Sequence, residues 1–66
     1  MEILLNGQTC RIGDDATLDE LLREQGLAER RVAIEVNGEI VPRGRHASHV
    51  LHPADRVEIV HALGGG

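Results

Sequence analysis

The sequence predicts an α+β fold, with one mixed sheet of about five strands and one main helix packed across one face. Three observations carry that prediction. Two Asn-Gly pairs, Asn6-Gly7 and Asn37-Gly38, each lie between short apolar runs, which is the strongest short-range hairpin signal. Between them stands one helix start, Thr17-Leu18-Asp19-Glu20. A last alternating run, Arg56 to about His61, has no partner beside it in sequence and must pair at long range.

Glu2-Ile3-Leu4-Leu5-Asn6 reads as the first strand and Thr9-Cys10-Arg11-Ile12 as its return across Asn6-Gly7. Gly13 to Ala16 is a loop. Thr17 and Glu20 then have the spacing of a capping box, in which the hydroxyl takes a backbone N–H at the helix start and the carboxylate reaches back to the Thr17 N–H. Leu18, Leu21 and Leu22 follow at helical spacing as one apolar stripe, and Asp19 and Glu20 suit the positive end of the helix dipole. Gly26 ends the helix, with Leu27 placed for the hydrophobic contact that accompanies such ends. Ala28 to Arg31 is a polar connector. Val32 to Val36 alternates, with Val32, Ile34 and Val36 on one face, and Glu39-Ile40-Val41 returns after Asn37-Gly38. Pro42 closes that strand and suits an edge position, because proline has no N–H for a ladder. Ala47 to Leu51 is expected to form a short helical turn, and Pro53-Ala54-Asp55 turns the chain into the last strand.

In a β-grasp arrangement of the ubiquitin-like type, the first and last strands of such an order run parallel in the centre. Side-chain parity then puts Ile3, Leu5, Val57 and Ile59 toward the helix together with Ile34. It puts Leu4 and Val60 side by side on the open face. The domain is expected to span residues 1–63, followed by a flexible glycine tail over residues 64–66.

Sixty-six residues make one domain near the lower size limit for folding without disulfides or metal. That leaves too little core for a deep substrate cleft. Apolar residues are 41% of the chain and none is aromatic, so the core must be aliphatic and no base-stacking platform for single-stranded nucleic acid is available. The net charge is −4 and every base is arginine, with no basic stripe for nucleic acid or an anionic membrane. One cysteine excludes an internal disulfide framework and fits a reducing cytosol. The start has no basic leader and no run approaches a membrane span, so a cytoplasmic protein is expected.

The closing Gly64-Gly65-Gly66 directly follows the last strand run. Without a Cβ these residues pass through narrow gaps, and fully extended they reach about 10 Å. A frayed end is the plainer reading of the glycines alone. Together with Val36-Asn37-Gly38-Glu39-Ile40-Val41-Pro42-Arg43 and Asp55-Arg56-Val57-Glu58-Ile59-Val60, however, they resemble the ThiS-type sulfur carriers of thiamine biosynthesis, over essentially the whole chain.

That resemblance implies a protein that is a co-substrate and not an enzyme, monomeric when free and holding no cofactor. A ThiF-like adenylyltransferase partner would spend ATP to adenylate the Gly66 carboxylate. Sulfur from a cysteine desulfurase or a persulfide protein would displace AMP and leave a thiocarboxylate, and a ThiG-like thiazole synthase would take that sulfur into the thiazole ring. The residue types suit the chemistry. A carboxylate is a poor electrophile until it acquires a leaving group, nothing at Cα of Gly66 shields its carbonyl, and Gly64 and Gly65 keep the approach thin. The chain has no lysine, so an activated carboxylate would find only its own N-terminal amine to acylate. A genome-level bias toward arginine is the plainer cause.

Leu4 and Val60 on the open face, with Glu35 and Glu58 flanking them, are the expected docking residues for partners, although a solvated strand face explains the acids as well. Other readings of the same ending are a sulfur carrier for molybdopterin synthesis, a ubiquitin-like protein modifier, and a non-catalytic interaction module. His46, His49 and His52 recur every third residue, a spacing that can hold zinc or nickel on a helix, but Pro53 truncates the segment and no metal site is expected. His61 reads as the polar residue of an alternating strand. Cys10 has no base beside it and reads as a packed thiol. Arg43 and Arg45, flanking Gly44, are a weak phosphate signal better explained by solubility.

Overall fold

A computed structural model describes residues 1–61 of the chain, and its architecture grows out of two tight hairpins. The first joins β1 (Glu2–Leu5) to β2 (Gln8–Arg11) antiparallel, with Leu5 opposite Gln8. Two residues are left to turn the chain, and both lie in the left-handed region, Asn6 at φ 50° and Gly7 at φ 82°. Asn and Gly are the residues that tolerate this, and the resulting twist matches that of the strands. Asn37 at φ 52° and Gly38 at φ 87° repeat the device between β3 (Val32–Val36) and β4 (Glu39–Ile40).

The helix α1 covers Leu18–Glu24 and begins as its residues dictate. The Glu20 N–H donates to Thr17 Oγ1 at 3.2 Å, and the Thr17 N–H donates to Glu20 Oε1 at 3.3 Å. At the other end Gly26, at φ 74°, donates to the Arg23 carbonyl at 3.1 Å, and Leu27 donates to the Leu22 carbonyl at 2.8 Å. This pair of bonds is a Schellman end, and Leu27 packs at the margin of the core as that motif requires. Leu18, Leu21 and Leu22 are buried.

The expected helical turn over Ala47–Leu51 is met only at its start: the Ser48 and His49 N–H groups donate to the Arg45 carbonyl at 3.1 and 2.9 Å, and the chain extends by Val50. A 3₁₀ turn forms earlier, over Arg43–Arg45, directly after Pro42, whose φ of −60° starts it. Val50 instead makes an isolated bridge with Thr17. The extended backbone there lets the Leu51 N–H donate to the Ala16 carbonyl at 2.8 Å while the Leu51 side chain is buried. Burying a leucine and satisfying its amide together end the turn before it reaches Leu51.

The strand β5 (Arg56–His61) completes a five-stranded sheet in the order β2-β1-β5-β3-β4. It runs parallel to β1 and antiparallel to β3 in the centre of the sheet, as a β-grasp arrangement requires. Ile3, Ile34, Val57 and Ile59 are buried against the helix layer, and Leu5 is half-buried at its edge. The core is wholly aliphatic: Ile3, Leu18, Leu21, Ile34, Leu51 and Val57 have essentially no exposure. The two-residue β4 is an outer strand, and Pro42 just beyond it has no N–H to offer a neighbouring edge.

Candidate functional site

The segment that ends in the glycines issues from β5, so the site is built outward from that strand. Val57 and Ile59 point into the core, which leaves Arg56, Glu58 and Val60 on the open face of the sheet. Opposite them the pairing places Leu4 beside Arg56, Glu35 beside Glu58 and Ala33 beside Val60. Ile40 sits beside Glu35 on the far side.

Leu4 and Val60 share the open face but are not side by side. Leu4 is level with Arg56, four residues before Val60, or about 13 Å along the strand at roughly 3.3 Å per residue. Parity assigns a residue to a face but not to a register. β1 stops at Leu5, opposite Val57, and past the hairpin turn β5 runs on paired with β3 only. Val60 therefore has Ala33 as its neighbour. Glu35 and Glu58 do stand together, directly across from one another, between the Leu4–Arg56 level and the Ala33–Val60 level.

The most exposed large apolar side chain on this face is Ile40, at 71%, ahead of Val60 at 59% and Leu4 at 37%. Sequence reading passed over Ile40 and Ala33. The signal for Ile40 was present: a two-residue Asn37-Gly38 loop pairs Val36 with Glu39, and hence Glu35 with Ile40. The face thus carries a pair of carboxylates ringed by Ile40, Ala33 and Val60.

The remaining sequence candidates take structural places. His46 is buried, with Nε2 3.0 Å from the Val41 carbonyl, and its own carbonyl accepts from the Asp19 N–H at 3.1 Å. It joins the 3₁₀ segment to the start of α1. His49 is half-buried, and its carbonyl accepts from the Leu18 N–H, while His52 is exposed beside the Asp55 carboxylate. Among the described residues no three His, Cys, Asp or Glu side chains converge as a metal site would require. Cys10 is half-buried against the core, and Arg43 and Arg45 are exposed. A shallow groove runs beside β1 between Leu4, Thr9 and Pro53, where Arg11 and Glu2 face each other at 4.0 Å. Gly64, Gly65 and Gly66, and the side chain of His61, lie outside the described residues. No described helix is long and apolar enough to cross a membrane.

Comparison with known proteins adds to this geometry. The model of the ThiS family matches residues 3–66, a range that takes in all three closing glycines. The sulfur carrier protein ThiS of Escherichia coli is 30% identical over 66 residues, covering the whole of both chains. A thiazole synthase of Paramagnetospirillum magneticum is 38% identical over all 66 residues, although the chain spans only 20% of that protein's length. Among solved structures, that of the thiamine biosynthesis protein ThiS from Geobacter metallireducens superposes with a TM-score of 0.85 at 29% identity, covering all of both chains.

Proposed function

Because the chain belongs to the ThiS family, we propose that it is a sulfur carrier whose Gly66 carboxylate becomes a thiocarboxylate and supplies sulfur for the thiazole ring of thiamine. The observation that carries this reading is the extent of the family match, which runs through the glycine tail and does not stop at the folded body. The carboxylate oxygen attacks the α-phosphorus of ATP on an activating enzyme, and pyrophosphate leaves. The terminal sulfur of a persulfide then displaces AMP from the carbonyl, and a thiol reduces the S–S bond to leave the thiocarboxylate. This chain supplies the reacting carbonyl and the surface that delivers it. ATP and the catalytic groups belong to the partner, so the chain is a co-substrate and not an enzyme.

The fold supports the delivery role. The reacting end follows the central strand of the sheet, which Val57 and Ile59 anchor in the core, so the glycines would thread a partner's channel from a fixed strand. The open face beside it would dock to that partner. Its two carboxylates, Glu35 and Glu58, suit arginines or lysines on an activating enzyme, and Val60, Ile40 and, at a distance, Leu4 supply apolar contact. The similarity of the whole chain to one segment of a thiazole synthase favours thiazole synthase as the acceptor of the sulfur over a molybdopterin enzyme.

Intact mass spectrometry of the chain, incubated with its activating enzyme, ATP and a sulfur donor, tests the proposal. The expected result is a mass gain equal to exchanging one oxygen for sulfur, mapped to the C-terminal peptide and lost when Gly66 is deleted. An unchanged mass under conditions that charge another ThiS protein removes the sulfur-carrier reading and favours an interaction module. Amide-linked conjugates in cell extracts would favour a protein modifier instead.

A further inference from the structure

Each hairpin asparagine reaches beyond its own turn. In the parallel ladder of β1 and β5, the Leu4 N–H donates to the Asp55 carbonyl and the Asn6 N–H to the Val57 carbonyl, both at 2.9 Å. The next rung of such a ladder runs from the Ile59 N–H to the backbone carbonyl of Asn6. Asn6 has by then turned to φ 50° to open the hairpin loop. Its side chain fills the rung: the Ile59 N–H donates to Asn6 Oδ1 at 2.8 Å, a half-buried bond between residues 53 apart in sequence. Because the partner is an N–H, the acceptor must be the amide oxygen.

Asn37 does the same on the other edge of β5. Its N–H donates to the Arg56 carbonyl at 2.7 Å, and the Arg56 N–H donates back to Asn37 Oδ1 at 2.9 Å. The Asn37 amide N–H also reaches Asp55 Oδ1 at 2.9 Å. The central strand is thus clasped by one side-chain amide where it enters the sheet and by another close to where it leaves.

We infer that Asn6 is a positioning residue for the sulfur-transfer reaction: its amide oxygen closes the last β1-side rung of β5 and so fixes the point from which the segment carrying Gly66 sets out. The inference rests on the sulfur-carrier reading above. Without that rung, residues 59–61 keep only the β3 edge, and the activating enzyme must order them on binding. The loss falls on the encounter and not on the chemistry, so it raises KM for the carrier and leaves kcat in place. One net hydrogen bond corresponds to a change of about two- to tenfold.

Three variants of the full chain test this. Asn6→Gly keeps the left-handed turn and removes the amide, Asn6→Asp keeps an acceptor oxygen, and Asn37→Gly removes the equivalent bond at the entry of β5. Amide hydrogen exchange by NMR and steady-state charging with activating enzyme, ATP and sulfur donor are the two readouts. Asn6→Gly is expected to speed exchange at Ile59 relative to Leu21 and to raise KM about two- to tenfold at constant kcat. Asn6→Asp should restore both, and Asn37→Gly should speed exchange at Arg56 while leaving KM unmoved. Unaltered exchange at Ile59 in Asn6→Gly overturns the clasp. Faster exchange with KM unmoved, a loss confined to kcat, or an equal rise in KM for Asn37→Gly overturns the positioning role. A wild-type chain that takes up no sulfur overturns the sulfur-carrier reading and the positioning role with it, while exchange at Ile59 still decides the clasp.

Discussion

Glu35 and Glu58 face each other across the two central antiparallel strands with no described basic side chain bonded to either, and that invites substitution. The pair 37/56 is hydrogen-bonded through the backbone, so alternation makes 35/58 a hydrogen-bonded pair, with Cα atoms about 5.5 Å apart. Two carboxylates about 6 Å apart repel by roughly 0.7 kcal/mol in a water-like dielectric. Screening over about 8 Å at physiological salt reduces this to about 0.3 kcal/mol. Glu35→Arg turns that repulsion into an attraction of similar size, less a small cost from Arg56 on the diagonal. The net gain is about 0.5 kcal/mol, within the range of cross-strand pairs, or about 2–4 °C in Tm for a domain of this size. Urea denaturation in low salt and in 1 M salt measures it, and the gain should vanish in 1 M salt, where screening acts within about 3 Å. The same variant should charge more slowly, because a docking acid has become a base. A gain that persists in high salt refutes the electrostatic argument. A stabilised variant that charges at the wild-type rate refutes the assignment of Glu35 to the docking face.

Other expected outcomes test the fold. Leu21→Ala, at a fully buried position, should cost about 2–5 kcal/mol, against a total of roughly 3–10 kcal/mol for a chain of this length, so chemical denaturation should show a chain close to the edge of folding. Thr17→Ala should cost about 1 kcal/mol by loss of the helix cap, and Glu20→Ala should add little on top of it, since a double-mutant cycle treats the two reciprocal bonds as one unit. Ala54→Gly should stabilise by about 0.5 kcal/mol, because Ala54 sits at φ 69° after Pro53 in a turn closed by the Asp55 N–H on the His52 carbonyl. Relief of left-handed strain, about 1–2 kcal/mol, exceeds the added entropy of glycine in the unfolded chain. A lower Tm for Ala54→Gly would refute the strain argument.

Local chemistry made most of this fold legible. Asn-Gly between apolar runs leaves two residues for a loop, and both occurrences became two-residue hairpins because few other residue pairs accept consecutive positive φ. The helix start and stop were equally readable, since Thr17, Glu20, Gly26 and Leu27 each form the bond or contact that their spacing implies. The segment from Arg43 to His52 was not readable in this way. Its conformation is decided with distant partners, the Ala16 carbonyl for the Leu51 N–H and the Leu18 and Asp19 N–H groups for the His49 and His46 carbonyls, and none of these appears in a local window.

The same division between local and distant information decides how the candidate site should be understood. Alternation alone placed Leu4, Glu35, Glu58 and Val60 on one face, and the pairings agree with that placement. What alternation lacks is the offset between β1 and β5, strands more than fifty residues apart, and that offset separates Leu4 from Val60 by about 13 Å. A partner that buried both would need a footprint spanning the carboxylate pair, whereas one seated next to the tail would meet Val60, Ala33 and Ile40 around Glu35 and Glu58 and leave Leu4 outside. Leu4→Ala and Val60→Ala separate these cases. Each removes exposed aliphatic surface, and a compact contact predicts that KM for charging rises for Val60→Ala and Ile40→Ala and stays level for Leu4→Ala. An equal rise for Leu4→Ala would mean that the partner grips the full length of β5, and would refute a contact confined to the tail end of the sheet.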